Sequence, residues 1–169
     1  HNTISSCLWT RSDTRAQAIN NQHCNPDYLP NCTLTPLITA TLDLDIIYQC
    51  HLIIYALPSD QYHYLSSVPE TTPCLIASKG LTPTGTLLSD YVSERLRAPI
   101  AVLSGPNLAK ELAAQKPAAS VIASLDLDFS SQLQSQLCTP YFRVYTSSDV
   151  PGVTIGGIYK NVLAIAAGL

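Results

Sequence analysis

The sequence predicts an α/β fold built on a parallel sheet, and three observations predict it. Apolar runs of strand length alternate with helical stretches along most of the chain. The runs "LIIYAL", "PCLIAS", "PIAVLS" and "AASVIAS" are nearly continuous in apolar residues, as in strands covered on both faces. Several strand ends carry a basic group or a tight turn: Thr10-Arg11, Pro58-Ser59, Lys79-Gly80 and Ser104-Gly105-Pro106. Open α/β sheets bind their ligands outside the carboxyl ends of the strands.

In chain order, "HNTISSCLW" reads as a strand that begins in mid-structure. "RSDTRAQAINNQH" is a short helix that Ser12 or Asp13 would cap. "NPDYLPNCTLTP" holds three prolines in twelve residues and reads as a loop. "ITATLDLDIIYQC" gives a short strand and a short helix, and "HLIIYALPSD" a strand ended by Pro58. "TPCLIASKGL" is a strand stopped by Lys79-Gly80, and "GTLLSDYVSERL" has helical periodicity. "PIAVLSGP" is a strand ended by Gly105-Pro106, and "NLAKELAAQ" a helix closed by Pro117. The strand "AASVIAS", the helix "LDFSSQLQSQL" and the alternating strand "YFRVYTSSD" follow. Beyond Val150-Pro151-Gly152 the residues turn small and helical, which divides the chain into residues 1–150 and the start of a second domain, 151–169.

The totals narrow the function classes. At 169 residues, 46% hydrophobic and 12% charged, the chain is long and apolar enough for one globular core. A net charge of -3 gives no reason to expect a nucleic-acid footprint. No apolar run is expected to reach the roughly 20 residues of a membrane helix. Six cysteines stand singly without zinc spacing, so they read as reduced thiols in a cytoplasmic protein, with no metal site. "NCT" at Asn31 matches a glycosylation acceptor but is idle without secretion.

Four places could carry chemistry. Arg11, at the end of a second strand of a dinucleotide fold, could pair an adenosine 2′-phosphate, or it is a solvated surface arginine. Lys79 ends an apolar strand, so its stem is held while its head projects, as a surface lysine's also would. In "SGPNLAKE", Gly105 allows a tight turn and Pro106 suits a first helical position. The amides of Asn107 and Leu108 would then form an anion-binding helix start, unless the segment is a plain connection. Lys110 and Glu111 read as a solvated face. Lys160 lies in "VTIGGIYKNVLAIAAGL", with Gly156, Gly157 and Ala164 one turn away. An ammonium on that bare face is either partly desolvated, with a lowered pKa suited to acid–base work, or reaches for water.

"YLP", "ALPS", "SKGL", "VLSGPNLAKELA", "FRVYTSSDVPGV" and "GGIYKNVLAIAAGL" together resemble the bacterial NAD(P)-dependent sn-glycerol-3-phosphate dehydrogenase family, in order and spacing over nearly the whole chain. The resemblance implies a Rossmann-like parallel sheet, leading into the first helix of an all-α C-terminal domain. It implies interconversion of dihydroxyacetone phosphate and sn-glycerol 3-phosphate for glycerophospholipid synthesis. Lys160 takes the family's proton donor and acceptor position and also meets substrate; Lys79 binds substrate beside the nicotinamide. Gly105 and Asn107 take substrate positions, Ala109 a cofactor position, and Pro58 of "ALPS" stands on the cofactor side. Arg11 matches the residue that meets the 2′-phosphate, which tilts the cofactor from NADH toward NADPH. A small phosphate substrate is the implied partner, and a homodimer is compatible with the family.

The family's first strand and G-x-G-x-x-G turn are absent: none of the seven glycines forms that pattern. The chain therefore reads as an internal fragment of such an enzyme. The competing readings are a non-catalytic nucleotide-binding remnant of the same fold and a dehydrogenase of another hydroxy acid, which "SGPNLAKE" followed by "YKNVLAIAAGL" disfavours.

Overall fold

The computed structural model describes residues 4–168. Strand β1 (Ser6–Trp9) leads into helix α1 (Asp13–Gln22). Ser12 is the N-cap, its hydroxyl accepting from the Arg15 amide at 3.2 Å. Helix α1 buries only Ala16, Ala18 and Ile19, so a polar clamp reinforces its seat: the Asn20 side chain exchanges two hydrogen bonds, 2.8 and 2.7 Å, with the Ala40 backbone.

Strands β2 (Cys24–Asn25) and β3 (Leu29–Thr33) form an antiparallel ribbon where the sequence suggested only a loop. The prolines permit it. Pro26 lies between the two strands, and Pro30 sits in a two-stranded ribbon whose outer edge needs no amide donor. Strand β4 (Ile38–Thr41) then pairs parallel with β1.

Strand β5 (Ile53–Tyr55), β6 (Cys74–Ile76), helix α2 (Leu88–Ser93), β7 (Ile100–Ser104), helix α3 (Ala109–Ala113) and β8 (Ala118–Ala123) follow. Helix α4 (Leu127–Leu137), β9 (Phe142–Ser147) and helix α5 (Val150–Ala167) complete the order. Short 3-10 segments occupy Leu44–Gln49 and Ser59–Ser67, and the strand expected to end at Pro58 stops at Tyr55. The sheet order is β5-β6-β7-β8-β9. Strands β1 and β5 each pair on one side only, so a two-stranded and a five-stranded sheet stand where one sheet was expected. In a doubly wound order one further strand between β1 and β5 would join the two.

The five-stranded sheet is parallel except between β7 and β8. A parallel crossover must carry the chain back along the full strand. Helix α3 is only five residues, about 7.5 Å of rise, so β8 returns antiparallel.

Both faces of this sheet are covered, which explains its nearly continuous apolar strands. Tyr55, Cys74, Ile76 and Val102 pack on Leu65, Leu88 and Val92. Leu75, Ala101, Ile122 and Val144 pack on Phe129 and Leu133. Helix α5 docks through Val150 and Val153 with Thr154 buried, and it leaves Ile155, Tyr159, Val162, Leu163 and Ile165 exposed. By length and composition alone it is apolar enough to cross a membrane (18 residues, mean hydropathy 1.3), contrary to the sequence expectation. Its small residues conceal this length, and the mid-span Lys160 would cost about 3 kcal/mol in a bilayer.

Candidate active site

The carboxyl ends of β6 and β7 meet the middle of α5. A cavity of about 220 Å³ lies there, lined by Ser104, Gly105, Pro106, Gly156, Gly157 and Lys160. Lys79 stands beside it, its Nζ donating to the Gly105 carbonyl at 3.0 Å.

The end of β6 is anchored before it reaches Lys79. The Tyr55 carbonyl accepts from the amides of Ala77 and Ser78, at 2.8 and 3.2 Å, and the Ser78 hydroxyl bonds the Leu57 carbonyl. Gly80 then adopts φ +150°, a conformation that other residues rarely hold. Its Cα faces the Ser59 side chain, so the turns after β5 and β6 lock together.

Gly105 is set by its surroundings. A Cβ there would stand 2.7 Å from the Ala119 carbonyl oxygen and 2.5 Å from Ser120 Oγ. Asn107 donates its Nδ2 to Ser120 Oγ, while its Oδ1 is buried without a partner. A buried acceptor with no donor is costly, so this oxygen is primed for a ligand hydroxyl or amide. The anion-binding helix start expected at Pro106 is not formed. Helix α3 begins at Ala109, after an extended Leu108, and has no side-chain cap.

Two ammonium groups therefore border one small cavity. Among the described residues neither has a carboxylate within ion-pair distance. Lys79 is held below the ordinary lysine range, first by burial and then by the charge of Lys160. With its folded value below its unfolded one, the unfolded chain binds more protons between the two values. The full destabilisation is present below that window and is relieved as pH rises through it. Removing the charge of Lys160 by Lys160→Ala is expected to raise the Lys79 pKa toward its ordinary value. A ¹³C titration of the lysine side chains checks this, and an unmoved Lys79 resonance would mean the two heads do not interact.

Lys79, Gly105, Asn107 and Lys160, four residues singled out in the sequence, are brought together. Ala109 is exposed two residues beyond Asn107. Pro58 stands at the start of the 3-10 segment after β5, beside Ser59, the neighbour of Gly80. Arg11 is exposed after β1, in the other sheet and away from the cavity lining. The sequence reading gave no role to Ser104, although its hydroxyl faces Gly157, nor to Ser120, which orients Asn107. A serine closing an apolar strand was the available signal for the first; nothing local marked the second.

An open, mostly parallel sheet covered on both faces, with basic side chains at its strand ends, defines the Rossmann-like class of α/β fold. The chain belongs to the NAD-dependent glycerol-3-phosphate dehydrogenase family, matching the model of that family's N-terminus over residues 1–130. It is 40% identical over 172 residues to a glycerol-3-phosphate dehydrogenase [NAD(P)+] of Corynebacterium aurimucosum, covering 96% of this chain and 52% of the relative. A namesake in Thermobifida fusca is also 40% identical, with 96% and 51% covered. The crystal structure of glycerol-3-phosphate dehydrogenase from Coxiella burnetii superposes with TM-score 0.88 at 33% identity, covering 96% of this chain and 52% of that one. A GDP-mannose dehydrogenase from Pseudomonas aeruginosa shares the fold alone, with TM-score 0.73 at 12% identity. The chain spans about half the length of the curated relatives it matches.

Proposed function

We propose that this chain is the nucleotide-side half of an NAD(P)-dependent oxidoreductase that interconverts dihydroxyacetone phosphate and sn-glycerol 3-phosphate. The observation that carries the reading is the convergence of Lys79 and Lys160 on the Gly105 turn, around a cavity sized for a small molecule. Two cations with no carboxylate at ion-pair distance among the described residues suit a phosphate-bearing substrate, and the unpartnered Asn107 Oδ1 suits a substrate hydroxyl.

The residues present also fit the two ends of a dinucleotide. Arg11 would meet an adenosine 2′-phosphate, Pro58 and Ala109 would line its path, and Lys79 would lie near the nicotinamide. A bound nicotinamide would supply the hydride for carbonyl reduction. Lys160 would deliver the proton that the substrate oxygen takes up as the alcohol forms. Lys79 stabilises the charge that develops on that oxygen or on the phosphate, and its bond to the Gly105 carbonyl keeps it aimed there. In the reverse direction a neutral Lys160 accepts the hydroxyl proton.

The test is NADPH oxidation with dihydroxyacetone phosphate by the protein expressed from its full reading frame; turnover is expected. One observation favours a second reading, a non-catalytic chain of the same fold: none of the seven glycines forms the pyrophosphate turn. Cofactor binding without turnover would decide for it.

A further inference from the structure

We propose that the Arg15–Asp27 ion pair sets the cofactor preference of this protein, by holding the Thr10–Ser12 turn that presents Arg11 to an adenosine 2′-phosphate. This rests on the nucleotide reading above. Arg15 lies in the first turn of α1, and its Nε and Nη2 both donate to Asp27 Oδ2, at 3.0 and 2.7 Å. Tyr28 lies under the guanidinium, 4.8 Å from Cζ to the ring centroid. Asp27 and Tyr28 belong to the turn of the β2–β3 ribbon, so the ribbon grips Arg15 from outside the helix.

Arg15 in turn holds both neighbours of Arg11. Its Nη1 donates to the buried Thr10 Oγ1 at 3.4 Å, and its own amide bonds Ser12 Oγ at 3.2 Å. Thr10 Oγ1 also accepts from the Ser12 amide at 3.2 Å, which closes the turn around Arg11. Arg11 is exposed and, among the described residues, has no carboxylate at ion-pair distance. The two guanidiniums thus have different tasks. Arg15 is committed to Asp27, which neutralises it and keeps it from competing for an incoming anion, while Arg11 keeps its fork free. Arg15 is a positioning residue that acts through Arg11. The strength of its bond to Asp27 agrees with a guanidinium held above its ordinary pKa by that partner.

The test is calorimetric titration of the full-reading-frame protein with adenosine 2′,5′-bisphosphate and with AMP, a pair that differs in the 2′-phosphate and needs no turnover. Arg11→Gln is expected to abolish the preference for the bisphosphate. Arg15→Gln and Asp27→Asn are each expected to weaken the bisphosphate about tenfold while AMP stays within about twofold. Neither is expected to weaken it further in the Arg11→Gln background. Asp27→Asn alters an exposed side chain and preserves the test should Arg15→Gln lower the thermal midpoint. Equal losses for both ligands, losses that add fully to Arg11→Gln, or no loss would overturn the proposal. So would an Arg11→Gln protein that keeps the preference. Wild-type protein that binds neither ligand would instead overturn the nucleotide reading, and this inference with it.

Discussion

Lys160→Ala is expected to lower kcat for dihydroxyacetone phosphate reduction about a thousandfold, with a smaller change in KM. The site makes such a loss specific. Lys160 lines the cavity from a helix face whose neighbours one turn back are Gly156 and Gly157, so no other side chain on that face can replace its proton. Alanine is the best helix former, and the truncation removes only a partly exposed side chain, so α5 keeps its shape. A second substitution separates the two things an ammonium can do. Lys160→Arg keeps the positive charge but cannot give up a proton near neutral pH. If the proton is what matters, Lys160→Arg is nearly as slow as Lys160→Ala, and steady-state kinetics on the full-reading-frame protein read this directly. Recovery of most of the rate by arginine would make Lys160 a cation for the phosphate and leave the acid to be sought elsewhere. Lys79 is not a ready substitute, because its head is tied to the Gly105 carbonyl.

The same corner shows what a sequence can reveal. Lys79 and Gly105 were legible because each ends an apolar run, and in an open sheet the ends of neighbouring parallel strands share an edge. Lys160 was legible as a charge in a run of small residues. What joins them was not. The bond from Lys79 Nζ to the Gly105 carbonyl spans 26 positions, and the seat of α5 against β7 depends on Ser104 facing Gly157. The β2–β3 ribbon was hidden by its prolines, which mark turns by local chemistry but can also sit on a two-stranded edge. The antiparallel return of β8 was hidden because a strand's residues carry no direction; only the shortness of α3 fixes it. Local pattern gave the elements, and the length of the connections decided how they pair.

Gly105→Ala, Gly157→Ala and Gly156→Ala are expected to separate into three outcomes. At Gly105 the new methyl meets the Ala119 carbonyl oxygen at 2.7 Å and Asn107 Nδ2 at 2.9 Å. The carbonyl belongs to β8, paired with β7, and cannot rotate away, so the turn or the pairing must shift. Overpacking of this kind costs about 3 kcal/mol, and denaturant unfolding should show it as a lowered midpoint. The displaced turn also carries the carbonyl that holds Lys79, so substrate affinity is expected to fall along with stability. At Gly157 the nearest atom is Ser104 Oγ at 2.5 Å, with nothing else inside 3.5 Å. A hydroxyl can swing aside, so stability should change little, but the methyl and the displaced hydroxyl enter the cavity beside Lys160. KM is then expected to rise at nearly constant midpoint. At Gly156 a methyl meets nothing within 4 Å, and alanine favours the helix, so the midpoint should hold or rise slightly. Equal midpoints for all three would mean that the Gly105 turn is not held against β8, and the aim of Lys79 would need another cause.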